Sequence, residues 1–256
     1  VLVRVEGAGI DRGVWHLLLG LPLVARLESG IRKPKRRIAG ADVAGVVVAV
    51  GGQVNAFAPG DSVCGVARGS FAEYAPALAR KLAHRPASLD PVLAGTLAIS
   101  GMTALQAVRD RAHVREGQHV LVLGASGGVG GYAVQIARGF GAHVTGVCSA
   151  AKADLVRSLG AERVLDYAQC DPLDGSVRYD AIIDVGGRRP LRHLRRALSP
   201  TGTAVIVGGE GGGRLTGGFP ERILRGALLS WLGRRRLVGF GSRANSADVA
   251  TLGRMV

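Results

Sequence analysis

The run Val120-Leu121-Val122-Leu123-Gly124-Ala125-Ser126-Gly127-Gly128-Val129-Gly130 limits what this chain can fold into more than any other segment. Four apolar residues of strand character end in a glycine-rich turn, and Tyr132-Ala133-Val134-Gln135-Ile136-Ala137 then opens a helix. A-x-G-x-x-G stands where the dinucleotide fingerprint has G-x-G-x-x-G. In that reading Gly127 lets the backbone approach a pyrophosphate and Gly130 lets the helix pack close to the strand. Ala125, Ser126, Gly128 and Val129 complete a turn whose helix N-terminus faces the anion. With 40 glycines in the chain such a match can arise by chance, and the competing reading is a plain strand–helix connection. Context favours the dinucleotide: an apolar strand precedes, an amphipathic helix follows, and a second strand is expected at His143–Val147.

The end of that second strand bears on the choice of cofactor. An NAD-preferring site places Asp or Glu there to bond the adenosine ribose, whereas this chain has Val147-Cys148-Ser149-Ala150-Ala151-Lys152. A hydroxyl at Ser149 and a cation at Lys152 suit a 2′-phosphate, which a carboxylate would repel. NADPH is therefore expected over NADH, against the alternative that Lys152 is only a solvated residue in the first turn of the next helix.

Around this segment the pattern alternates. Strands are expected at His119–Leu123, His143–Val147, Arg163–Leu165, Tyr179–Asp184, Thr203–Val207 and Arg236–Phe240, with helices at Val129–Gly139, Lys152–Leu159, Leu191–Leu198 and Glu221–Trp231. Such alternation implies βαβ units and a mostly parallel, doubly wound sheet. Residues 1 to about 90 read differently, with short alternating runs at Val1–Val5, Val43–Val50 and Ser62–Val66 between Gly and Pro-Gly-Asp turns, as in a small β-barrel. At Asp90-Pro91 the character changes to helical spacing, which reads as the bridge between domains. The expected division is residues 1–92 and residues 93–256, the latter closing on an Asn-Ser cap at Asn245 and a final helix.

Bulk properties exclude several classes. No apolar run reaches the ~18 residues of a membrane span, and no membrane partner is expected. Three scattered cysteines without a C-x-x-C pair argue against a disulfide framework and point to a reducing, cytoplasmic setting. Net charge is +14, yet the arginines cluster without the interleaved aromatics of a single-strand stacking platform, so no nucleic acid is expected and these clusters read as solvated surface.

Several segments together resemble the medium-chain dehydrogenase/reductase superfamily, in its zinc-free quinone oxidoreductase-like branch. Gly40-Ala41-Asp42-Val43-Ala44-Gly45-Val46-Val47 matches its G-x-[DE]-x-x-G-x-V signature, Pro59-Gly60-Asp61-Ser62-Val63 its P-G-D-x-V turn, and Gly69-Ser70-Phe71-Ala72-Glu73-Tyr74 its G-[GS]-[FY]-A-E-Y strand. Ser100-Gly101-Met102-Thr103-Ala104 looks like its G-x-T-A helix, and Ser149–Lys152 with Asp166-Tyr167 like its adenosine-side segment. The resemblance implies an α/β chain with a GroES-like β-barrel domain and a Rossmann domain, the active site in the cleft between them, and often a homodimer or homotetramer joined near Arg236–Phe240. It also implies segments before the first strand and after the last helix, so the chain is expected to be truncated at both ends.

Zinc-type members of the superfamily carry His where this chain has Ala41, and Cys near Ile10-Asp11, so no metal is expected. The chemistry then implied is hydride transfer from reduced nicotinamide to a quinone or enone, with the protein orienting the reactants. Resemblance places Asp11 and Trp15 on the substrate side and Thr103 near the nicotinamide, while Gly186, Val207, Gly208 and Gly209 follow strands and sit where ligands bind in such sheets. Each has a plainer reading: a turn-stabilising carboxylate for Asp11, packing for Trp15, a helical hydroxyl for Thr103, ordinary turns for the glycines. Gly209-Glu210-Gly211-Gly212-Gly213 is expected to form a mobile loop. Two other functions stay open: a nicotinamide-dependent alcohol dehydrogenase, and a non-catalytic nucleotide-binding or basic interaction protein.

Overall fold

The computed structural model describes residues 1–209, 212–231 and 233–255. Its chain divides into two compact units, one of Val1–Met102 together with the stretch from Ser242 onward, the other of Thr103–Gly241.

In the first unit, β1 (Leu2–Gly7), α1 (Arg12–Leu19), α2 (Arg26–Ser29), β2 (Asp42–Ala49), β3 (Ser62–Ala67), β4 (Tyr74–His84) and α3 (Pro91–Ala94) follow in order, and α4 (Ala98–Leu105) runs across the division. The four strands are antiparallel and close on themselves, because β1 pairs with both β2 and β4. Alternation puts Val3, Val43, Val47, Val63, Ala75 and Leu82 inside, which is the apolar content the barrel needs. Pro91 opens α3 one residue after Asp90, whose carboxylate accepts the Val92 and Leu93 amides. The expected strand at Gly69–Tyr74 begins only at Tyr74: the Gly69 and Phe71 amides donate instead to the Gly40 and Ala39 carbonyls, outside the strand ladder.

The second unit continues from α4 through a π-helical turn, Gln106–Arg111, into β5 (His119–Leu123), α5 (Gly128–Gly139), β6 (His143–Cys148), α6 (Ala153–Ser158), β7 (Arg163–Asp166), β8 (Tyr179–Asp184), α7 (Leu191–Ala197), β9 (Leu198–Ile206), α8 (Phe219–Ser230) and β10 (Arg236–Gly239). All six strands are parallel, in the order β10-β9-β8-β5-β6-β7. From β5 the chain winds outward through β6 to β7, then returns to lay β8, β9 and β10 on the other side. That is the doubly wound order, with its switch point between β5 and β8. Leu121, Ile182, Leu194, Leu198, Ile206 and Tyr179 fill the core, and continuous apolar runs such as Val120–Leu123 suit strands covered on both faces.

The division differs from the expected residues 1–92 and 93–256 at both ends, the first unit running to Met102 and taking up the stretch from Ser242. The last helix, α9 (Ser246–Met255), packs on β4 of the barrel rather than extending the second unit. Asn245 caps it by accepting the Asp248 amide at 2.8 Å, and burial of Val249 and Leu252 holds it there. Glu210 and Gly211, within the loop expected to be mobile, lie outside the described residues.

Candidate functional site

Parallel strands all end at one edge of the sheet, and hydrogen bonds beyond the ladder tie those ends together. The Gly124 and Ala125 amides donate to the Val147 carbonyl (3.1 and 3.0 Å), and Tyr167 N donates to Cys148 O (3.3 Å). On the other side of β5, Val185 and Gly186 donate to Leu123 O, while Val207 and Gly208 donate to Asp184 O at 3.0 and 3.1 Å. One rim therefore carries the glycine turn, Ser149, Tyr167, Gly186 and Val207, straddling the switch point where open α/β sheets bind ligands.

The glycines on this rim differ in why they are needed. A Cβ at Gly130 would sit 2.1 Å from the Gly124 carbonyl oxygen, so α5 reaches its distance from β5 only without a side chain there. Gly208 is comparable, 2.0 Å from the Val185 carbonyl oxygen. Gly127 meets no such obstacle: its φ of −86° suits any residue, and a Cβ would make only an ordinary 3.4 Å contact. A Cβ on Gly186 would enter open space. Packing explains Gly130 and Gly208, whereas nothing in the fold itself requires glycine at Gly127, the N-cap of α5, where the first amides of a helix have no partner within it.

Ser149 precedes a 3₁₀ turn, Ala150–Lys152, that leads into α6. Lys152 thus ends this turn and caps α6 rather than lying inside a helix that begins at 152. Its side chain is exposed, Ser149 is half-buried, and Tyr167 is exposed at the neighbouring strand end. Asp166, bonded through Oδ1 to the Ala168 amide, faces Cys148 across the β6–β7 pair. Burial followed by this carboxylate pushes the Cys148 thiol above its ordinary range, against the pull of Arg157 and Lys152.

Sequence reasoning missed the charge under the rim. Asp184 ends β8 almost fully buried, accepts the Gly187 amide at 3.0 Å and meets Arg222 of α8 at 2.5 Å. Arg222 also donates to the Arg189 carbonyl at 2.8 Å. Burial raises the Asp184 carboxyl, opposed by Arg222 and the Gly187 amide. This pair fixes α8 to the turn after β8. Its signals were an Asp closing the strand Tyr179–Asp184 and an Arg in the first turn of the second helix downstream, but nothing in the sequence joins positions 38 residues apart.

In the first unit, Asp11 is the N-cap of α1, a helix not expected from the sequence, and accepts the Gly13 and Val14 amides at 2.5 and 3.0 Å. Trp15, partly exposed, carries the Arg12 guanidinium 4.1 Å above its ring. Thr103 is half-buried within α4. Asp42 is buried, accepts the Ile99 amide at 2.7 Å, and has its carboxyl pushed up to about 7 by burial, with Asp11 adding to the rise.

Residues 1–87 match the family described as "Alcohol dehydrogenase GroES-like domain" and residues 128–254 the one described as "Zinc-binding dehydrogenase". "Quinone-oxidoreductase QR1, chloroplastic" of Triphysaria versicolor is 32% identical over 220 residues, covering 81% of this chain and 65% of that protein. "NAD(P)H oxidoreductase RTN4IP1, mitochondrial" of Bos taurus is 38% identical over 180 residues, covering 66% and 46%. The crystal structure of an alcohol dehydrogenase superfamily protein from Novosphingobium aromaticivorans is 30% identical with a TM-score of 0.79, covering all of this chain and 76% of that one. This chain thus spans 65% of the first relative's length and 46% of the second's.

The second family's description names zinc. Among the described residues no three His, Cys, Asp or Glu side chains gather closely enough to hold an ion. Asp42 instead spends one carboxylate oxygen on the Ile99 amide. A catalytic zinc needs three protein ligands.

Proposed function

The chain belongs to the medium-chain dehydrogenase/reductase superfamily, and from that premise we propose that it transfers a hydride from NADPH to a quinone or an α,β-unsaturated carbonyl without zinc. The observation that carries this reading is the rim at the sheet's switch point, where Gly127 leaves room for a ligand at the N-terminus of α5. The cofactor fits this cradle. Gly127 and the first amides of α5, within the turn Ala125 to Gly130, hold the pyrophosphate. Ser149 and Lys152 hold the adenosine 2′-phosphate beside Tyr167, and that phosphate keeps clear of the Asp166 carboxylate. Gly186, Val207, Gly208, Gly209 and Thr103 border the nicotinamide half, Gly208 and Gly209 through backbone alone.

When bound, reduced nicotinamide supplies the hydride. What the chain's own residues do is bind, orient and exclude water, and a conjugated acceptor suits them because its developing charge is delocalised rather than localised on an alkoxide. Asp11 fixes the start of α1 and thereby the ring of Trp15, the proposed apolar contact for substrate. β10, at the edge of the sheet, is the surface proposed for a homodimer or homotetramer, and a reducing compartment such as the cytoplasm suits three free cysteines.

The test is oxidation of NADPH followed in the presence of quinones, enones and simple ketones. Turnover with the conjugated acceptors that persists after exhaustive chelation supports the reading; turnover confined to ketones and restored by zinc overturns it.

A further inference from the structure

Residues 10–38 expose more apolar surface than a solvated segment needs. Ile10 is 80% exposed, Leu27 70%, Ile31 67% and Leu18 64%, and within α1 only Val14 is buried. Beside these side chains runs the basic cluster Arg32, Lys33, Lys35, Arg36 and Arg37, every member exposed. Backbone and side-chain bonds tie the helices and the start of the basic run to one another. Arg26 Nε donates to the Gly20 carbonyl at 2.8 Å and draws α2 against the end of α1, while Lys35 N donates to Ser29 O at 2.8 Å and folds the basic run back on α2.

We propose that the stretch from Leu17 to Arg37 forms a docking surface for an anionic lipid bilayer, with Leu18 of α1, Leu27 of α2 and the following Ile31 entering the headgroup boundary and the Arg32–Arg37 cluster lying on the lipid phosphates. Charge selects this occupant. The segment of residues 10–38 has seven Lys and Arg against two carboxylates, so a second copy of this chain seated on it would set like charge against like. Nucleic acid would employ the cations but leaves Leu18, Leu27 and Ile31 without a function, and the one aromatic ring in the segment large enough to stack a base, Trp15, already carries the Arg12 guanidinium. An anionic leaflet uses both halves: exposed apolar side chains bury into the acyl boundary, and each basic residue near the surface adds about fivefold in affinity. From sequence the cluster reads as solvated surface, because it lacks interleaved aromatics, and the span-length criterion applied to membranes detects only segments that cross them.

Co-sedimentation with vesicles tests this, using phosphatidylcholine alone and phosphatidylcholine with about a third phosphatidylglycerol, a load that gives a strongly negative surface. The expected result is binding to the anionic vesicles only, falling steeply as salt shortens the Debye length. Replacing Arg32, Lys33, Arg36 and Arg37 together by Gln should lower the partition coefficient by about two to three orders of magnitude, at fivefold per residue. Leu18→Ser with Leu27→Ser, both at exposed positions, should leave a weaker association that salt removes completely. Circular dichroism and melting establish that each variant is folded. Absence of binding by the folded chain, or undiminished binding of the Gln variant, overturns the proposal. So does a dimer whose residues 10–38 are protected from hydrogen exchange, or duplex DNA binding that the leucine variant leaves unchanged.

Discussion

The turn after β5 and the turns after β8 and β9 look alike in sequence, each a strand running into glycines, yet their glycines serve different ends. After β9, Gly208 is needed by the protein itself, because the backbone of Val185 occupies the place of its side chain. After β5 the two functions separate along one turn: Gly130 is needed by the helix–strand contact, while Gly127 is compatible with the fold at any small residue and open toward solvent. A glycine that the fold does not require, at a helix N-terminus on a switch-point rim, is the one we propose to answer to a ligand.

The comparison can be broken most directly at Gly130. Gly130→Ala puts a methyl against a backbone carbonyl that has nowhere to go, and denaturant titration should show a loss of about 4 kcal/mol or more, or no folded protein. A loss under ~1 kcal/mol would mean that Gly130 is not the packing glycine. Next, Arg222→Leu leaves Asp184 buried and uncompensated, which should cost about 3–5 kcal/mol, with Asp184→Asn added to it recovering a substantial part. Without that recovery, the pair is not what joins α8 to the rim.

Gly127→Val should behave in the opposite way to Gly130→Ala. Its melting midpoint should stay within the range of about 1 kcal/mol while affinity for NADPH falls about a hundredfold, near 2.7 kcal/mol. Unchanged affinity would remove the distinction between the two glycines. Lys152→Ala should weaken NADPH about tenfold and NADH hardly at all, as expected for an exposed cation that meets one additional phosphate; equal losses would show that it does not read the 2′-phosphate.

The smallest effect extends the comparison from glycines to the buried carboxylates. Asp184 has a guanidinium partner and Asp42 has a backbone amide. With its carboxyl raised from the ordinary value of 3.8 to about 7, Asp42 stays protonated in the folded chain between those values while the unfolded chain releases its proton. Its contribution is therefore full below about pH 4 and is lost as pH rises through about 7. Asp42→Asn should keep the Ile99 bond and flatten that decline, gaining about 1 kcal/mol over the parent at pH 8 in thermal melts. A parallel decline in both proteins would place the pH dependence elsewhere.

Much of the parallel sheet was legible because its strands are buried on both faces and carry short apolar runs, Val120–Leu123 and Ala181–Ile183 among them: His119–Leu123 and Tyr179–Asp184 begin and end where expected. The glycine turn was legible as a position on the rim, since local spacing alone sets a strand–turn–helix. What escaped is non-local or lacks a pattern. α1 carries apolar residues at helical spacing, Val14, Leu17 and Leu18, but is only eight residues long, too short a window for that period to stand out beside the cap at Asp11. The attachment of α9 to β4 and the pairing of Asp184 with Arg222 depend on packing between distant segments. Sequence also could not separate Gly127 from Gly130, because the distinction is a distance to a carbonyl oxygen.

The central claim is that the rim at the switch point binds a phosphorylated nicotinamide dinucleotide, and its most direct test is a side-by-side equilibrium titration of the folded chain with NADPH and NADH. The account predicts saturable binding with NADPH the tighter by about tenfold, the margin assigned to Ser149 and Lys152. Tighter binding of NADH would contradict the assignment of that phosphate, and no binding of either by a folded sample would contradict the site itself.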